Sequence, residues 1–188
     1  MSDNKYDLYD FDKTVYPQDS ETVFLFYCIL HRPYLIVLAP WLLLNLILFF
    51  LGFGDQFKGR CFSFLRFVDG KKMAEKFWDN QQKRIYPIFK PENREKRPIV
   101  VCSASPEFFL KPICEKYNVD ILIATKMNPK TGRIDGFNCK DKQKPIRLAE
   151  ALPDAEYINV YSDSLKNDIH KLHIHFYLKT HALAFHLA

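Results

Sequence analysis

Four short runs of strand-forming residues constrain the fold of this chain more than any other feature of its sequence. They cover residues 5–9, 99–102, 120–124 and 157–161. Short apolar runs are typical of strands that lie buried in a parallel sheet. Helical patterns alternate with the last three runs. This order predicts a doubly wound, Rossmann-like α/β fold, in which ligands bind beyond the carboxyl ends of the strands.

Polar residues follow these runs at their carboxyl ends, and one further amine lies in the last helical pattern. They are Asp10, Asp12, Thr14, Ser103, Lys144, Asp163 and Asp168. Carboxylates, hydroxyls and an ammonium at one sheet edge suit a magnesium ion and a phosphoryl group. Of two neighbouring carboxylates, one can act as the nucleophile while the other donates or accepts the proton of the reacting group. The DxDxT pattern alone is also common in turns and helix caps.

Length and composition indicate one globular domain with an insertion. The 188 residues are 48% hydrophobic and 26% charged, which suffices for a sizeable core. The formal net charge is +5, and residues 71–97 carry this excess, with nine basic and four acidic side chains. Such a segment is either a solvated face or a surface for anionic lipid or phosphate.

The cysteines indicate the redox environment. There are five, an odd number at irregular spacings, and they form no CxxC pattern. This predicts a reducing compartment, with neither a disulfide framework nor a zinc site. We expect Cys102 and Cys139 to serve as small core side chains.

Residues 34–53 form an uncharged apolar run with one amide, Asn45, and one proline, Pro40. About 20 apolar residues can span a bilayer as a helix. A single span would separate Asp10 from every later site residue, which is incompatible with one shared site. We therefore predict a re-entrant or interfacial helical pair, bent near Pro40 or Asn45. The alternative is a buried helical hairpin in a soluble cap.

The flanks of this run are basic, with Arg32 before it and Lys58 and Arg60 after it. Basic residues at both ends favour a topology in which both ends face the cytoplasm. The expected location is therefore the cytoplasmic face of a membrane, with the cytoplasm itself as the alternative.

Four motifs in this order resemble the haloacid dehalogenase superfamily of phosphohydrolases, in the branch with a helical cap after the first strand. The motifs are DFDKT, VVCSASPE, GRIDGFNCKDKQK and VYSDSLKND. The third is similar to the phosphoserine-phosphatase-like branch, and the apolar cap is most similar to the phosphatidylglycerophosphatase C type. The resemblance implies a catalytic core over residues 1–15 and 96–188. It also implies a cap over 16–95 that carries the apolar hairpin at 34–53.

The resemblance also implies a role for each site residue. Asp10 is the nucleophile and forms an aspartyl-phosphate intermediate. Asp12 protonates the leaving oxygen and then activates the water that hydrolyses the intermediate. The phosphoryl oxygens are bound by Thr14, Ser103 and Lys144. The alternatives are Ser105 in place of Ser103, and Lys140 or Lys142 in place of Lys144.

The cofactor implied is Mg²⁺, held by Asp10, the main-chain carbonyl of Asp12, and Asp163, with Asp168 supporting it. Two departures from the family pattern bear on these roles. Lys13 replaces the commoner glycine, which restrains the turn after Asp12. The gap between Asp163 and Asp168 is one residue longer than usual, so the role of Asp168 is less secure. Residues 172–178 alternate between apolar and polar side chains, which predicts an edge strand.

The expected activity is magnesium-dependent hydrolysis of a lipid phosphomonoester such as phosphatidylglycerophosphate at the membrane surface. The expected partners are a phosphorylated substrate and an anionic membrane surface, and no nucleic acid. One alternative is a soluble phosphatase for a small metabolite such as phosphoserine. A non-catalytic membrane protein or scaffold on the same fold is a third hypothesis, disfavoured because the site residues are all present.

Overall fold

The computed structural model describes residues 4–52 and 57–163, and four parallel strands form the sheet of this region. The strand order is β3-β2-β1-β4. The strands are β1 (Lys5–Tyr9), β2 (Ile99–Pro106), β3 (Ile121–Thr125) and β4 (Glu156–Tyr161). The chain builds outward from β1 to β3 and then returns to the other side of β1, which confirms the predicted parallel α/β architecture.

Six α-helices accompany the sheet in the described residues. They are α1 (Ser20–His31), α2 (Ala39–Phe50), α3 (Phe57–Cys61), α4 (Gly70–Gln81), α5 (Glu107–Lys116) and α6 (Gln143–Ala151). Short 3₁₀ turns cover Pro33–Leu38 and Phe62–Phe67, before α2 and after α3. The predicted edge strand at residues 172–178 lies outside the described residues, as does Asp168.

The strands bury side chains on both faces of the sheet. Alternate residues of a strand point to opposite faces. Accordingly, Tyr9 and Val101 join one buried cluster, while Leu8 and Val100 join a second cluster on the other face. A strand that is buried on both faces has a continuous run of apolar residues in the sequence. Such runs could therefore be used to predict these strands.

The inserted helices share the first of these clusters with the sheet. Phe24 of α1, Phe77 and Trp78 of α4, and Phe109 of α5 form a group of contacting rings. The indole Nε1 of Trp78 donates to the Phe109 carbonyl at 2.7 Å. The division into a core and a cap over 16–95 remains a prediction, and among the described residues α1 and α4 share a buried cluster with the sheet.

The sequence pattern predicts Ser20 as an N-cap and residues 22–30 as a helix, and the start of α1 differs from this. The N-cap is Asp19, whose side chain accepts from the Thr22 backbone N–H at 2.8 Å. Ser20 is instead the first helical residue and is fully buried. The reason is local, because the Ser20 backbone N–H donates to Asp12.

Within the described part of the apolar run, the 3₁₀ turn Pro33–Leu38 is followed by α2. Within residues 4–52 and 57–163, no helix is both long and apolar enough to cross a membrane. The backbone changes from 3₁₀ to α at Ala39, beside Pro40, and α2 continues through Asn45 without a break. Leu43, Ile47 and Phe50, at i, i+4 and i+7 of α2, are 59%, 49% and 78% exposed. This exposure does not fit the alternative in which the run forms the core of a soluble cap.

The turn-rich residues 128–136 (NPKTGRIDG) predict a small hairpin or flap after β3, and this flap is present. Met127 and Ile134 form an antiparallel bridge, and the Asn128 N–H donates to the Arg133 carbonyl at 2.8 Å. The flap approaches the 3₁₀ turn at Phe62 closely at Gly132, where a Cβ would lie 2.2 Å from the Phe62 carbonyl oxygen. Gly132 therefore fixes how the flap packs against the inserted segment.

Replacing Gly132 with alanine should destabilise the protein much more than replacing Gly136 with alanine. Both glycines have positive φ, +73° and +81°, but a Cβ at Gly136 would meet nothing within 4 Å. Backbone strain should cost Gly136→Ala about 1 kcal/mol. The added clash should bring Gly132→Ala to about 3 kcal/mol. Urea denaturation measures both, and equal losses would contradict the close approach.

Candidate active site

The centre of the site is an ion pair between Asp10 and Lys144. Asp10 directly follows β1, and its backbone N–H donates to the Tyr161 carbonyl of β4 at 2.8 Å. One carboxylate oxygen, Oδ1, accepts from the Phe11 N–H at 2.7 Å, and Oδ2 lies 2.7 Å from Lys144 Nζ. Lys144 is only 8% exposed at the start of α6. The carboxylate is thus held in one orientation by contacts to both oxygens.

The alternatives Lys140 and Lys142 are both exposed, whereas Lys144 is buried. Lys140 and Lys142 precede α6, and only Lys144 occupies a position from which its ammonium contacts Asp10. The structure therefore brings together Asp10 and Lys144, which are 134 residues apart in the chain.

Asp12 lies in a more enclosed environment. Its Oδ1 accepts from the Ser20 backbone N–H and its Oδ2 from the Ser105 hydroxyl, both at 2.8 Å. Burial raises the pKa of Asp12, and the hydrogen bonds from Ser20 and Ser105 oppose that rise. A carboxyl group with a raised pKa holds its proton more readily, which suits a general acid.

The turn after Asp12 keeps the backbone conformation that glycine favours, although lysine occupies it. Lys13 has φ of +61°, and a non-glycine residue there costs about 1 kcal/mol or more. The following N–H groups, those of Thr14, Val15 and Tyr16, all donate to the Phe11 carbonyl. The tight turn therefore persists despite this departure from the family pattern.

Thr14 and the serines of β2 supply hydroxyl groups. The Thr14 hydroxyl oxygen is buried and has no hydrogen-bond partner within the described part of the chain. A buried polar atom without a partner is rare in folded proteins and suits a ligand contact. Ser103 Oγ accepts from the Ser105 N–H at 3.1 Å, while the Ser105 hydroxyl is committed to Asp12. Of the two serines, only Ser105 contacts a catalytic candidate.

A second ion pair joins the insertion to β2, and sequence reasoning missed it. Lys58 Nζ donates to the Glu21 carboxylate and to the Ala104 carbonyl. Burial raises the pKa of Glu21 to about 7, although Lys58 opposes the rise. From the sequence alone, Lys58 is expected to be a membrane-flanking cation. In the fold its ammonium is instead largely buried between α1 and the Ser103–Ser105 segment.

The two cysteines near the site are buried, as predicted, and contact each other. Cys102 Sγ and Cys139 Sγ lie 3.9 Å apart. The Cys102 thiol lowers the pKa of Cys139 to about 7, helped by the nearby Arg147 and Lys144. The Cys139 N–H donates to the Thr125 hydroxyl at 2.9 Å, which fastens the loop after the flap to the end of β3.

The oxygen groups at this edge fit a magnesium ion in chemical type. Magnesium takes hard oxygen ligands and commonly uses one or two carboxylates, with waters and substrate phosphates completing its shell. The contact between Asp10 and Tyr161 places the end of β4, two residues before Asp163, beside Asp10. Among the described residues, no group of three or more His, Cys, Asp or Glu side chains forms a metal cluster. Asp10 and Asp163 would supply the one or two carboxylates that magnesium commonly uses.

The comparisons with known proteins agree with this fold and site. The family model for haloacid dehalogenase-like hydrolases matches residues 8–173. The chain therefore belongs to this family of hydrolases.

Individual relatives resemble this chain over different extents. Protein CicA of Caulobacter vibrioides is 33% identical over 72 residues, which are 35% of this chain and 32% of CicA. The match thus spans about a third of that relative. A protein of unknown function from Bordetella pertussis Tohama I superposes with a TM-score of 0.68 at 19% identity, covering 88% of this chain and 84% of that one. A HAD family hydrolase from Salmonella enterica superposes with a TM-score of 0.51 at 14% identity. This match covers 84% of the present chain and 55% of that hydrolase. Both structures support the fold.

Because the pKa of Glu21 is raised in the folded state, the free energy of unfolding should fall as the pH rises. The pKa rises from 4.5 to about 7 on folding, so the folded state binds the proton more tightly than the unfolded state. The resulting stability is present below pH 4.5 and is lost as the pH rises through 7. The loss should be up to roughly 3 kcal/mol.

The variant Glu21→Gln should therefore lose less stability than the wild type between pH 5 and pH 8. Urea denaturation at both pH values measures the difference. The matched control is Glu75→Gln, at an exposed glutamate of α4, which should behave as the wild type does. If Glu21→Gln retains the full pH dependence, another group is responsible.

Proposed function

We propose that this hydrolase cleaves phosphate monoesters with Mg²⁺ through an aspartyl-phosphate formed on Asp10. The observation that carries the proposal is the contact between Lys144 and Asp10 at the end of the central strand. Attack by a carboxylate on a phosphate dianion is opposed by charge, and a fixed ammonium beside both offsets that repulsion.

In the first step, a carboxylate oxygen of Asp10 attacks the phosphorus atom and the ester P–O bond breaks. The alcohol oxygen leaves with the bonding electrons and takes the proton from Asp12. Both Asp12 oxygens already accept hydrogen bonds, one of them from the Ser105 hydroxyl. Because a hydroxyl rotates freely and a backbone N–H does not, the substrate oxygen would replace the Ser105 contact.

In the second step, a water molecule attacks the phosphorus atom of the aspartyl-phosphate. Asp12 accepts the proton of this water, and the Asp10 carboxylate and inorganic phosphate are released. Both aspartates thus return to their starting states, and the net reaction consumes one water.

The phosphoryl oxygens would be held by Thr14, Ser103 and Lys144, with the unpartnered Thr14 hydroxyl as the structural support for its role. Ser105 is less suited, since its hydroxyl serves Asp12. Asp10, the Asp12 carbonyl and Asp163 would hold the magnesium ion, with Asp168 as a supporting carboxylate. When bound, the ion neutralises charge on the phosphoryl group.

The substrate we propose is a lipid phosphate such as phosphatidylglycerophosphate, as in the phosphatidylglycerophosphatase C type, at the cytoplasmic face of a membrane. The support is the row of exposed apolar side chains on α2, since large exposed apolar patches mark interaction surfaces. Only some basic side chains of the segment at 71–97 are available to bind an anionic membrane surface. Arg94 donates to the Tyr117 carbonyl and Arg97 pairs with Asp7, while Lys71, Lys72 and Lys76 are exposed.

The Asp10→Asn variant should lose activity by at least about a thousandfold, because the amide is not a nucleophile for phosphorus. Phosphate release with magnesium would be measured on phosphatidylglycerophosphate in mixed micelles and on phosphoserine in buffer. Asp154→Asn, at an exposed aspartate, is the matched control and should keep wild-type activity. Retained activity in Asp10→Asn would remove Asp10 as the nucleophile. Turnover of phosphoserine alone would favour a small-metabolite phosphatase.

Replacing Leu43, Ile47 and Phe50 of α2 with aspartate should release the protein from anionic lipid vesicles. Each charge placed at an apolar interface opposes insertion, and three on one face should abolish it. Vesicle co-sedimentation measures the bound fraction. The matched control replaces three exposed apolar residues outside the run with aspartate, namely Phe26, Tyr86 and Ile146. Equal release by both triple variants would show a charge effect rather than a docking face.

A further inference from the structure

A cavity of about 840 Å³ lies where the inserted segment meets the flap. Its walls come from α2, from residues 59–67 and from residues 131–138. The side chains that give it its character are three arginines and three aromatic residues: Arg60, Arg66, Arg133, Trp41, Phe67 and Phe137.

The cavity is cationic. No carboxylate is among its lining residues, and none of the three arginines forms an ion pair within the part of the chain that the structure describes. By contrast, Arg97 is paired with Asp7 and Glu95. Guanidinium groups bind phosphate oxygens with two parallel hydrogen bonds, so unpaired arginines around one cavity suit a phosphate group.

The same cavity has an apolar side. Trp41, Phe67 and Phe137 are all exposed large side chains. The Trp41 indole N–H donates to Ser63 Oγ at 3.2 Å, which fixes the ring at the cavity wall. The apolar side of the cavity is therefore formed by Trp41 of α2 together with Phe67 and Phe137. A ligand with an anionic group attached to an acyl chain matches both sides.

The inner wall of the cavity connects directly to the catalytic edge. Asn138 lines the cavity, and its Oδ1 lies 2.8 Å from the Thr125 hydroxyl. The same hydroxyl lies 2.5 Å from the carbonyl of Ala104, which sits between the two site serines. On the opposite side, Lys58 also donates to Ala104, next to the cavity residue Gly59. The cavity wall and the catalytic edge therefore share contacts to the Ala104 carbonyl.

We propose that the cavity binds the phosphodiester and adjoining acyl chain of an amphiphilic substrate whose terminal phosphomonoester lies at Asp10. This inference rests on the proposed phosphatase function and names the part of the substrate that the catalytic residues do not contact. The arginines recognise a second anionic group, and the aromatic side chains recognise the chain attached to it.

The test measures binding without turnover, using dihexanoyl phosphatidylglycerol, a short-chain phosphodiester lipid that lacks the terminal monoester. The chain has two tryptophans, and Trp78 is 2% exposed in the core, so the ligand should change the fluorescence of Trp41. The Trp41→Phe variant is the blank. We expect a saturable signal with this lipid and weak or no binding of dihexanoylglycerol, which has the acyl chains but no phosphodiester.

Arg60→Gln and Arg66→Gln should each weaken this binding at least tenfold. The matched control is Arg32→Gln, at an exposed arginine outside the cavity, and it should bind as the wild type does. Glycerophosphoglycerol carries the same phosphodiester without acyl chains and should bind more weakly than the lipid. Unchanged binding in the arginine variants, or equal binding of dihexanoylglycerol, would overturn the proposal. Equal binding of glycerophosphoglycerol would remove the acyl-chain part.

Steady-state kinetics can test the cavity assignment and the proposed function separately. On phosphatidylglycerophosphate the arginine variants should raise KM with kcat unchanged. Hydrolysis of phosphatidic acid, which has no phosphodiester, should be unaffected. If the wild type hydrolyses neither lipid but binds phosphatidylglycerol through the arginines, the proposed function fails and the cavity assignment stands. If it hydrolyses both and the arginine variants change nothing, the cavity assignment fails alone.

Discussion

The ion pair between Asp10 and Lys144 is the interaction on which the site depends. Each group lies largely buried, and a buried charge that loses its partner destabilises a protein by several kcal/mol. The pair therefore ties α6 to the end of β1, across 134 residues of sequence. The Phe11 N–H holds the other carboxylate oxygen. The group proposed as nucleophile is consequently fixed by the same contacts that attach the last helix to the sheet.

The strands, the flap and the residues at the strand ends could be predicted because each depends on a local pattern. The hydrogen-bond partners of Asp12 could not be predicted from a local pattern. Its contacts with Ser20 and Ser105 depend on where α1 begins and on how β2 continues past Cys102, where the register with β3 shifts. Neither detail follows from the spacing of apolar residues. The pairing of Lys58 with Glu21 depends in the same way on the path of the whole insertion.

The apolar run shows that the number of apolar residues alone does not predict a membrane-spanning helix. A run of 20 uncharged residues satisfies the length of a membrane span, yet α2 has 12 residues and is about 18 Å long at 1.5 Å per residue. That is well short of a hydrocarbon core of about 30 Å. Hydropathy gives neither the position of the 3₁₀ turn before Ala39 nor the direction of each side chain. The length of the run alone therefore does not predict the length of its helix or which of its side chains are exposed.

The proposed catalytic residues and the proposed arginine cavity have separate consequences for specificity. In the proposed mechanism Lys144 would contact any phosphomonoester that reaches Asp10, so it would not distinguish a lipid from a small metabolite. Discrimination between substrates is a difference in free energy, and it requires contacts that one substrate makes and the other does not. Arg60 and Arg66, which line the cavity next to the Ala104 segment, would supply that difference to a substrate with a second anionic group. If so, loss of these arginines alters the choice of substrate while the chemistry at Asp10 is retained.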